Sequence, residues 1–325
     1  MVDDCIFKNG YLTPTGVRVY SSLAHNIPGI DLDSSNDQIS DLICKYGERS
    51  KSLLSEHSED SLTFTTFHAL SKLPTKDWLV DFFRAAFGPK IAAAYAPYVN
   101  EAVLRFWQPH SSPNLYLEYL AKKISREGES ALKHLDAGSR VRAKQRLQKL
   151  LSGELEWGEQ PTEVDVQITI GKKLIIFVEV KVYSDIGKFG TLNGTDNRNQ
   201  VIRNLEVVSE VKQRLGFEDA KLVLLTLDRA SDKLYSQSMR RYRGPDLRKM
   251  RMWDEVTPGW ERIRKDLPHR ADESPEWHQR LNTSLGWVIW PEMVKILVAG
   301  YSRLWRNVAL QMDDLPASND IAASR

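Results

Sequence analysis

Two carboxylates and one ammonium sit in the most apolar part of the chain. In "LIIFVEVKVYSD", residues 174–185, Glu179 and Lys181 interrupt a run that is otherwise apolar from Leu174 to Val182. Their spacing of two places both on one face of a strand, about 7 Å apart along it. Asp165 lies in the preceding segment, "TEVDVQITI", residues 162–170. A three-residue turn at Gly171–Lys173 would pair Ile170 with Leu174 and set Asp165 opposite Glu179. A two-residue turn would put the two acids on opposite faces, because a slip of one residue flips every side chain. Three-residue hairpin turns containing Gly are common. In the first register the two carboxylates face each other with Cβ atoms about 5 Å apart. Like charges that close disfavour each other's ionised form unless a cation intervenes. Lys181 offsets part of the charge. A hard divalent cation such as Mg²⁺, which prefers carboxylate oxygens, offsets more. The structural alternative is a salt bridge from Lys181 to one of the acids, a weak stabilising device when buried.

The elements that must position these groups are legible around them. In 162–170, Val164, Val166, Ile168 and Ile170 alternate with Asp165, Gln167 and Thr169, which is strand period. The run 174–182 is apolar on both faces, as in a central strand covered on both sides. A Gly/Ser/Asn/Asp-rich loop follows, then "NRNQVIRNLEVVSEVKQRLG", whose Val201, Leu205, Val208, Val211 and Leu215 form one helical stripe. "KLVLLTLD" reads as another buried strand. Strand, strand, helix, strand preceded by helices predicts a mixed α/β domain. Upstream, residues 1–95 read as an irregular and helical accessory region, with helices near 39–46 and in "TKDWLVDFFRAAFG". In the latter, Thr75 is the expected N-cap and Gly88 the stop. Residues 96–152 read as mostly helical, in "YVNEAVLRFWQP", in "SSPNLYLEYLAKKISREG" and in "SRVRAKQRLQKLLSG". A further helix is expected from about Pro291 to Met312. Its apolar face reads as core, with a homodimer contact as the alternative. The nuclease-like domain described next would span 96–312, and 313–325 reads as a disordered tail.

Asp165, then Glu179-x-Lys181 at the end of an apolar strand, then a helix opening on Gln200, resembles the PD-(D/E)xK nuclease superfamily. The resemblance covers about residues 96–260 and is most specific over 154–228. "RMWDEV" at 251–256 also resembles a Trp-containing segment that follows the core in some members. It implies a restriction-endonuclease-like fold, a mixed central sheet flanked by helices, here with an N-terminal helical region. It further implies that Asp165 and Glu179 ligate Mg²⁺ or Mn²⁺, helped by the backbone carbonyl of Val180. Lys181 would orient or deprotonate the attacking water, or stabilise the transition state, and Gln200 would reach in from the first turn of its helix. Many members add a Glu on the first core helix. Glu101 is the favoured position for it here, with Glu118 as the competitor. The implied activity is metal-dependent hydrolysis of phosphodiesters, with DNA as substrate. The alternative is a nuclease-like module that binds nucleic acid or protein without cutting. Two departures mark the chain. Val164 replaces the Pro of the motif, and Gln200 is followed by Arg203 and Asn204 where the Q-x-x-x-Y version has Tyr.

Composition is compatible with this reading. The chain has 325 residues, 42% hydrophobic and 27% charged, with a net charge of +2. Charge is concentrated: residues 121–150 carry nine Lys or Arg against three Asp or Glu, and 229–251 carry eight against two. Such segments can track a phosphate backbone or simply form solvated surface. Two cysteines, Cys5 and Cys44, without metal-ligand spacing favour a reducing, cytoplasmic setting. The N-terminus has no apolar leader, and Pro291, Glu292 and Lys295 break the one membrane-like stretch. No P-loop, no G-x-G-x-x-G and no H-E-x-x-H occurs. His110, His269 and His278 read as surface or satisfied structural residues.

Overall fold

Alternation in one segment and unbroken apolarity in the next produce the two central strands. The computed structural model describes residues 59–116, 162–182, 200–227 and 266–313, with side chains to residue 306. It adds isolated positions at 118, 119, 122 and 264, and the backbone of three short strands near the N-terminus. Those strands, β1 (Ile6–Phe7), β2 (Gly10–Leu12) and β3 (Arg18–Tyr20), form a small antiparallel sheet. Strands of two or three residues are too short for periodicity to announce, and they add a small sheet to the irregular and helical region expected over residues 1–95. The helix expected near 39–46, both basic segments apart from position 122, and "RMWDEV" lie outside the described residues.

The main body begins with α1 (Glu59–Ser71), which the sequence reading did not anticipate. A 3₁₀ turn (Thr75–Asp77) leads into α2 (Leu79–Phe87). The expected cap at Thr75 is absent. Trp78 precedes the helix, and no side chain caps it. Leu79, Phe82, Phe83 and Ala86 recur at helical spacing and are all buried. Gly88 ends α2 with φ of 90°, a conformation that favours glycine. Pro89 then opens α3 (Pro89–Tyr95) at the position where proline lacks no needed donor.

The segment expected to continue as helix through Pro109 is instead β4 (Ala102–His110), entered from a 3₁₀ turn (Ala96–Glu101). Val103 and Arg105 are exposed while Leu104 and Phe106 turn toward the core, a period of two. The window was too short for the sequence to separate that period from a helical one. Positions 114–116, 118, 119 and 122 are helical, as expected after Pro113. Then come β5 (Thr162–Ile170), β6 (Leu174–Lys181), α4 (Gln200–Leu215) and β7 (Asp219–Thr226). Two elements the sequence reading missed follow, α5 (Pro275–Thr283) and β8 (Leu285–Ile289). The last is α6 (Trp290–Asp313), close to the expected helix. No helix among the described residues is long and apolar enough to cross a membrane.

The five strands form one mixed sheet in the order β4-β5-β6-β7-β8. The first three are antiparallel, and β6, β7 and β8 are parallel. Parallel neighbours need crossovers, which α4 and then α5 supply. The turn joining β5 and β6 is the three-residue one: Lys173 N–H donates to the Ile170 carbonyl at 2.9 Å, and Ile170 pairs with Leu174. Gly171 takes φ of 45°, in the left-handed region that glycine enters without strain.

Each face of the sheet carries its own core. On one, Phe67 and Leu70 of α1, Trp78, and Leu79, Phe82 and Phe83 of α2 pack on Val166, Ile168, Ile176 and Val178, with Met293 and Ile296 of α6 beside them. On the other, Val201, Leu205, Val208 and Val211 of α4 pack on Ile175, Phe177, Leu222, Leu224 and Trp287. Residues 59–95 therefore share the core of the sheet. The boundary expected at 95/96 falls inside that core, because burying one face of the sheet requires α1 and α2. The alternation in β5 also differs from expectation. Val166, Ile168 and Ile170 face α1 and α2, whereas Val164 joins the α4 side. The strand changes face at Asp165.

His110, on the α4 side, illustrates what burial does to a titratable group. Its ring stacks on Phe177 with centroids 4.6 Å apart, and its Nε2 lies 2.9 Å from Gln167 Oε1. Burial lowers its pKa to about 4, with the Gln167 bond acting the other way. A histidine kept neutral in the fold contributes stability that is complete above its ordinary pKa of 6.5 and lost as pH falls toward 4. Between pH 7 and 5 the wild type should lose about 1–2 kcal/mol relative to His110→Gln. Urea unfolding of both proteins at the two pH values measures the difference.

Candidate active site

The carboxyl end of a parallel strand, facing the start of the next helix, is where α/β sheets gather ligands. Here that place is the end of β6 beside the first turn of α4. Glu179 is almost fully buried, with 1% of its surface exposed. Three donors converge on it. Lys181 Nζ lies 2.9 Å from Oε1, Gln200 Nε2 donates to the same oxygen, and Asn204 Nδ2 donates to Oε2 at 2.8 Å. Gln200 and Asn204 are four apart on α4, so both amides leave the same side of the helix.

Asp165 comes from β5. The hydrogen-bonded ladder between β5 and β6 runs to the pair Val166–Val178, and its continuation places Asp165 opposite Glu179. At that point a side chain takes over: Asp165 Oδ2 accepts the Val180 N–H at 2.7 Å. On its other side Asp165 faces β4 across Trp107, whose φ of 48° is unusual for a bulky residue. Trp107 is buried and stacks on Phe64 of α1, with centroids 5.8 Å apart. The irregular backbone of β4 and the change of face in β5 thus occur side by side, within a register that runs on unbroken from Phe106–Val166 to Gln108–Val164.

Glu59, the first residue of α1, completes the group. Its Oε1 accepts the Val182 N–H at 2.9 Å, and its Oε2 lies 3.9 Å from Lys181 Nζ. The charges act on one another. Burial raises the Asp165 carboxyl well above its ordinary pKa, and the charge of Glu179 adds to this. Lys181 and the Val180 N–H pull it back in part, while Asp60 pushes it further up. Burial works against the Lys181 ammonium, but the charges of Glu179 and Asp165 and the bond to Glu179 outweigh it. Its pKa is held above the ordinary lysine value, so Lys181 is an ammonium at neutral pH.

Of the residues singled out from sequence, Asp165, Glu179, Val180, Lys181 and Gln200 are brought together. Val180 joins through its N–H, which donates to Asp165 Oδ2. Glu101 is not brought in. Its carboxylate borders the Gly171 turn, where a Cβ would come within 2.3 Å of its Oε2. That is the far end of β5, five residues or about 17 Å from Asp165. Glu118 is exposed. The helical Glu beside Lys181 is Glu59, in a segment that sequence reasoning passed over. Its one signal was an acidic Glu59-Asp60 pair where a helix opens.

The donor set suits a hard divalent cation: carboxylates of Asp165, Glu179 and Glu59, with Asp60 near enough to act on Asp165, stand against the single ammonium of Lys181. Among the described residues no three His, Cys, Asp or Glu side chains form a ready metal cage. Oε1 of Glu179 becomes a ligand only when a donor now on it moves away. Compared with known proteins, the chain matches no family model, no curated protein and no solved structure. What fold and site define is an α/β chain with a mixed five-stranded sheet, bearing a buried acid–lysine–amide cluster at the carboxyl end of its central strand.

Proposed function

We propose that this chain is a metal-dependent nuclease that hydrolyses phosphodiester bonds, with DNA as substrate, on a restriction-endonuclease-like core. The observation that carries the reading is the meeting of Asp165, Glu179 and Lys181 with Gln200 at one strand end, in the register the motif demands. Asp165 and Glu179 would hold Mg²⁺ or Mn²⁺. Such a cation, when bound, activates water and neutralises charge on the scissile phosphate. Water oxygen attacks phosphorus, the P–O ester bond breaks, and the products are a hydroxyl and a phosphate monoester. Lys181, held as an ammonium, acts by donating hydrogen bonds to the attacking water and to the charge growing on the phosphate. General-base action would first require it to lose a proton that its acidic neighbours retain. Gln200 fixes the Glu179 carboxylate, and Glu59 orients Lys181 from the other side. The N-terminus of α4 favours a nearby phosphate electrostatically.

One observation favours the second reading, a nuclease-like module that binds without cutting. Glu179 already satisfies its oxygens with three protein donors. A cleavage assay separates the two. Supercoiled, linear and single-stranded DNA with Mg²⁺ or Mn²⁺ should be cut by wild type and cut at least about 100-fold more slowly by Asp165→Ala and Lys181→Ala. DNA bound by wild type but left intact supports the module. DNA neither bound nor cut removes the nuclease and the DNA-binding module, and leaves only a module that binds another nucleic acid or protein.

A further inference from the structure

Asn204 holds one oxygen of Glu179 in a way that Lys181 and Gln200 cannot hold the other. It has no exposed surface and sits between Val201, Leu205 and Val208, the residues that anchor α4 to the sheet. Its amide is oriented without ambiguity. An ionised carboxylate only accepts, so Nδ2 must face Glu179 Oε2, at 2.8 Å. That choice leaves Asn204 Oδ1 buried and without a hydrogen-bond partner among the described residues. Turning the amide over would set two acceptors against each other. The two donors on Oε1 differ in kind. Lys181 carries its ammonium on a flexible four-carbon stem and keeps 12% of its side chain exposed. Gln200 is the first residue of its helix and partly exposed. Both can swing away, whereas Asn204 has nowhere to go.

We infer that Asn204 is a positioning residue that reserves Oε2 of Glu179 for itself and so assigns Oε1 to a divalent cation. The inference rests on reading Glu179 as a metal ligand. It concerns the position where the Q-x-x-x-Y pattern has Tyr, and gives Asn204 a role that follows from its own amide.

The probe is Mn²⁺, titrated into the full chain without DNA and followed by calorimetry or electron paramagnetic resonance. Asn204→Leu, close in size but without the donor, should weaken Mn²⁺ binding about tenfold or more, as loss of a group that orients a ligand does. It should also lower the melting temperature, because the buried Oε2 of Glu179 loses its donor, so affinities are compared at a temperature where both proteins are folded. Gln200→Ala, which removes a donor from Oε1 and leaves the one on Oε2, should weaken Mn²⁺ binding less than Asn204→Leu does. Val208→Ala, on the same helix, should lower the melting temperature and leave Mn²⁺ affinity alone, which separates positioning from mere support of α4. Asn204→Ala repeats the measurement if the leucine variant fails to fold. Equal affinity in wild type and the Asn204 variants overturns the inference while leaving the metal site standing. Equal weakening by Gln200→Ala and Asn204→Leu overturns it as well, since neither oxygen is then reserved. A wild type that binds no Mn²⁺ removes the metal reading itself and this assignment with it.

Discussion

Replacing Lys181 by methionine should slow cleavage by about 10²–10⁴-fold and at the same time tighten divalent-cation binding. The two effects have one origin. The ammonium lies 2.9 Å from Glu179 Oε1, the oxygen assigned above to the proposed cation. On that reading Lys181 competes with the cation before it binds and donates hydrogen bonds during the proposed reaction. Methionine keeps much of the stem and removes both roles. Breaking a buried ion pair by deleting one partner is costly, about 3–5 kcal/mol, because the other charge remains. The metal-free variant should accordingly melt earlier than wild type, and saturating Mn²⁺ should restore much of the loss by replacing the missing positive charge. Single-turnover cleavage, Mn²⁺ titration and melting with and without Mn²⁺ give the three numbers. Weaker Mn²⁺ binding in the variant would show that Lys181 assembles the site rather than occupying it.

Asp165→Asn should move stability the other way. Burial and the facing Glu179 charge make an ionised Asp165 unfavourable in the fold. Asparagine removes that charge and keeps an oxygen for the Val180 N–H, now at 2.7 Å. The sign is fixed by linkage. A carboxyl whose folded pKa lies above its unfolded value binds its proton more tightly in the native state, so stability falls as pH rises through that interval. Without metal the variant should exceed wild type increasingly as pH rises, read as a gap in melting temperature that is wider at neutral pH than in acid. Mn²⁺ should then stabilise wild type and leave the variant unchanged, and cleavage should be lost. His110 contributes the opposite slope over part of the same range, so the pH comparison is cleanest against His110→Gln as background.

The residues that carry the chemistry were legible because a charge in a doubly covered strand is conspicuous. Glu179 and Lys181 stand out from Leu174 to Val182, and the spacing from Ile170 to Leu174 limits the turn to a few lengths. Glu59 was not legible. It reaches Lys181 only because α1 lies across the sheet, and nothing local in "SEDS" says so. β4 was misread because its exposed and buried residues alternate over too few positions, and because its edge position tolerates Pro109. The change of face at Asp165 was hidden for a different reason. It depends on the backbone of Trp107 in the neighbouring strand, and no periodicity within β5 records it. Asn204 was noticed only as the residue where Tyr was missing.

The joining of Glu59 to the β6 end has a consequence for the order in which the protein is made. Glu59 and Val182, which share a hydrogen bond, are 123 residues apart. Asp165, Glu179 and Lys181 follow Glu59 in synthesis, and Gln200 and Asn204 come last. A growing chain holds no complete set until Asn204 has left the ribosome, and the core beneath α1 closes only when Met293 and Ile296 arrive. Truncated translation products that end before residue 200 carry the acids without the amides that hold them. Early termination therefore yields fragments in which the cluster around Glu179 cannot form, so the site exists only in chains that reach residue 204.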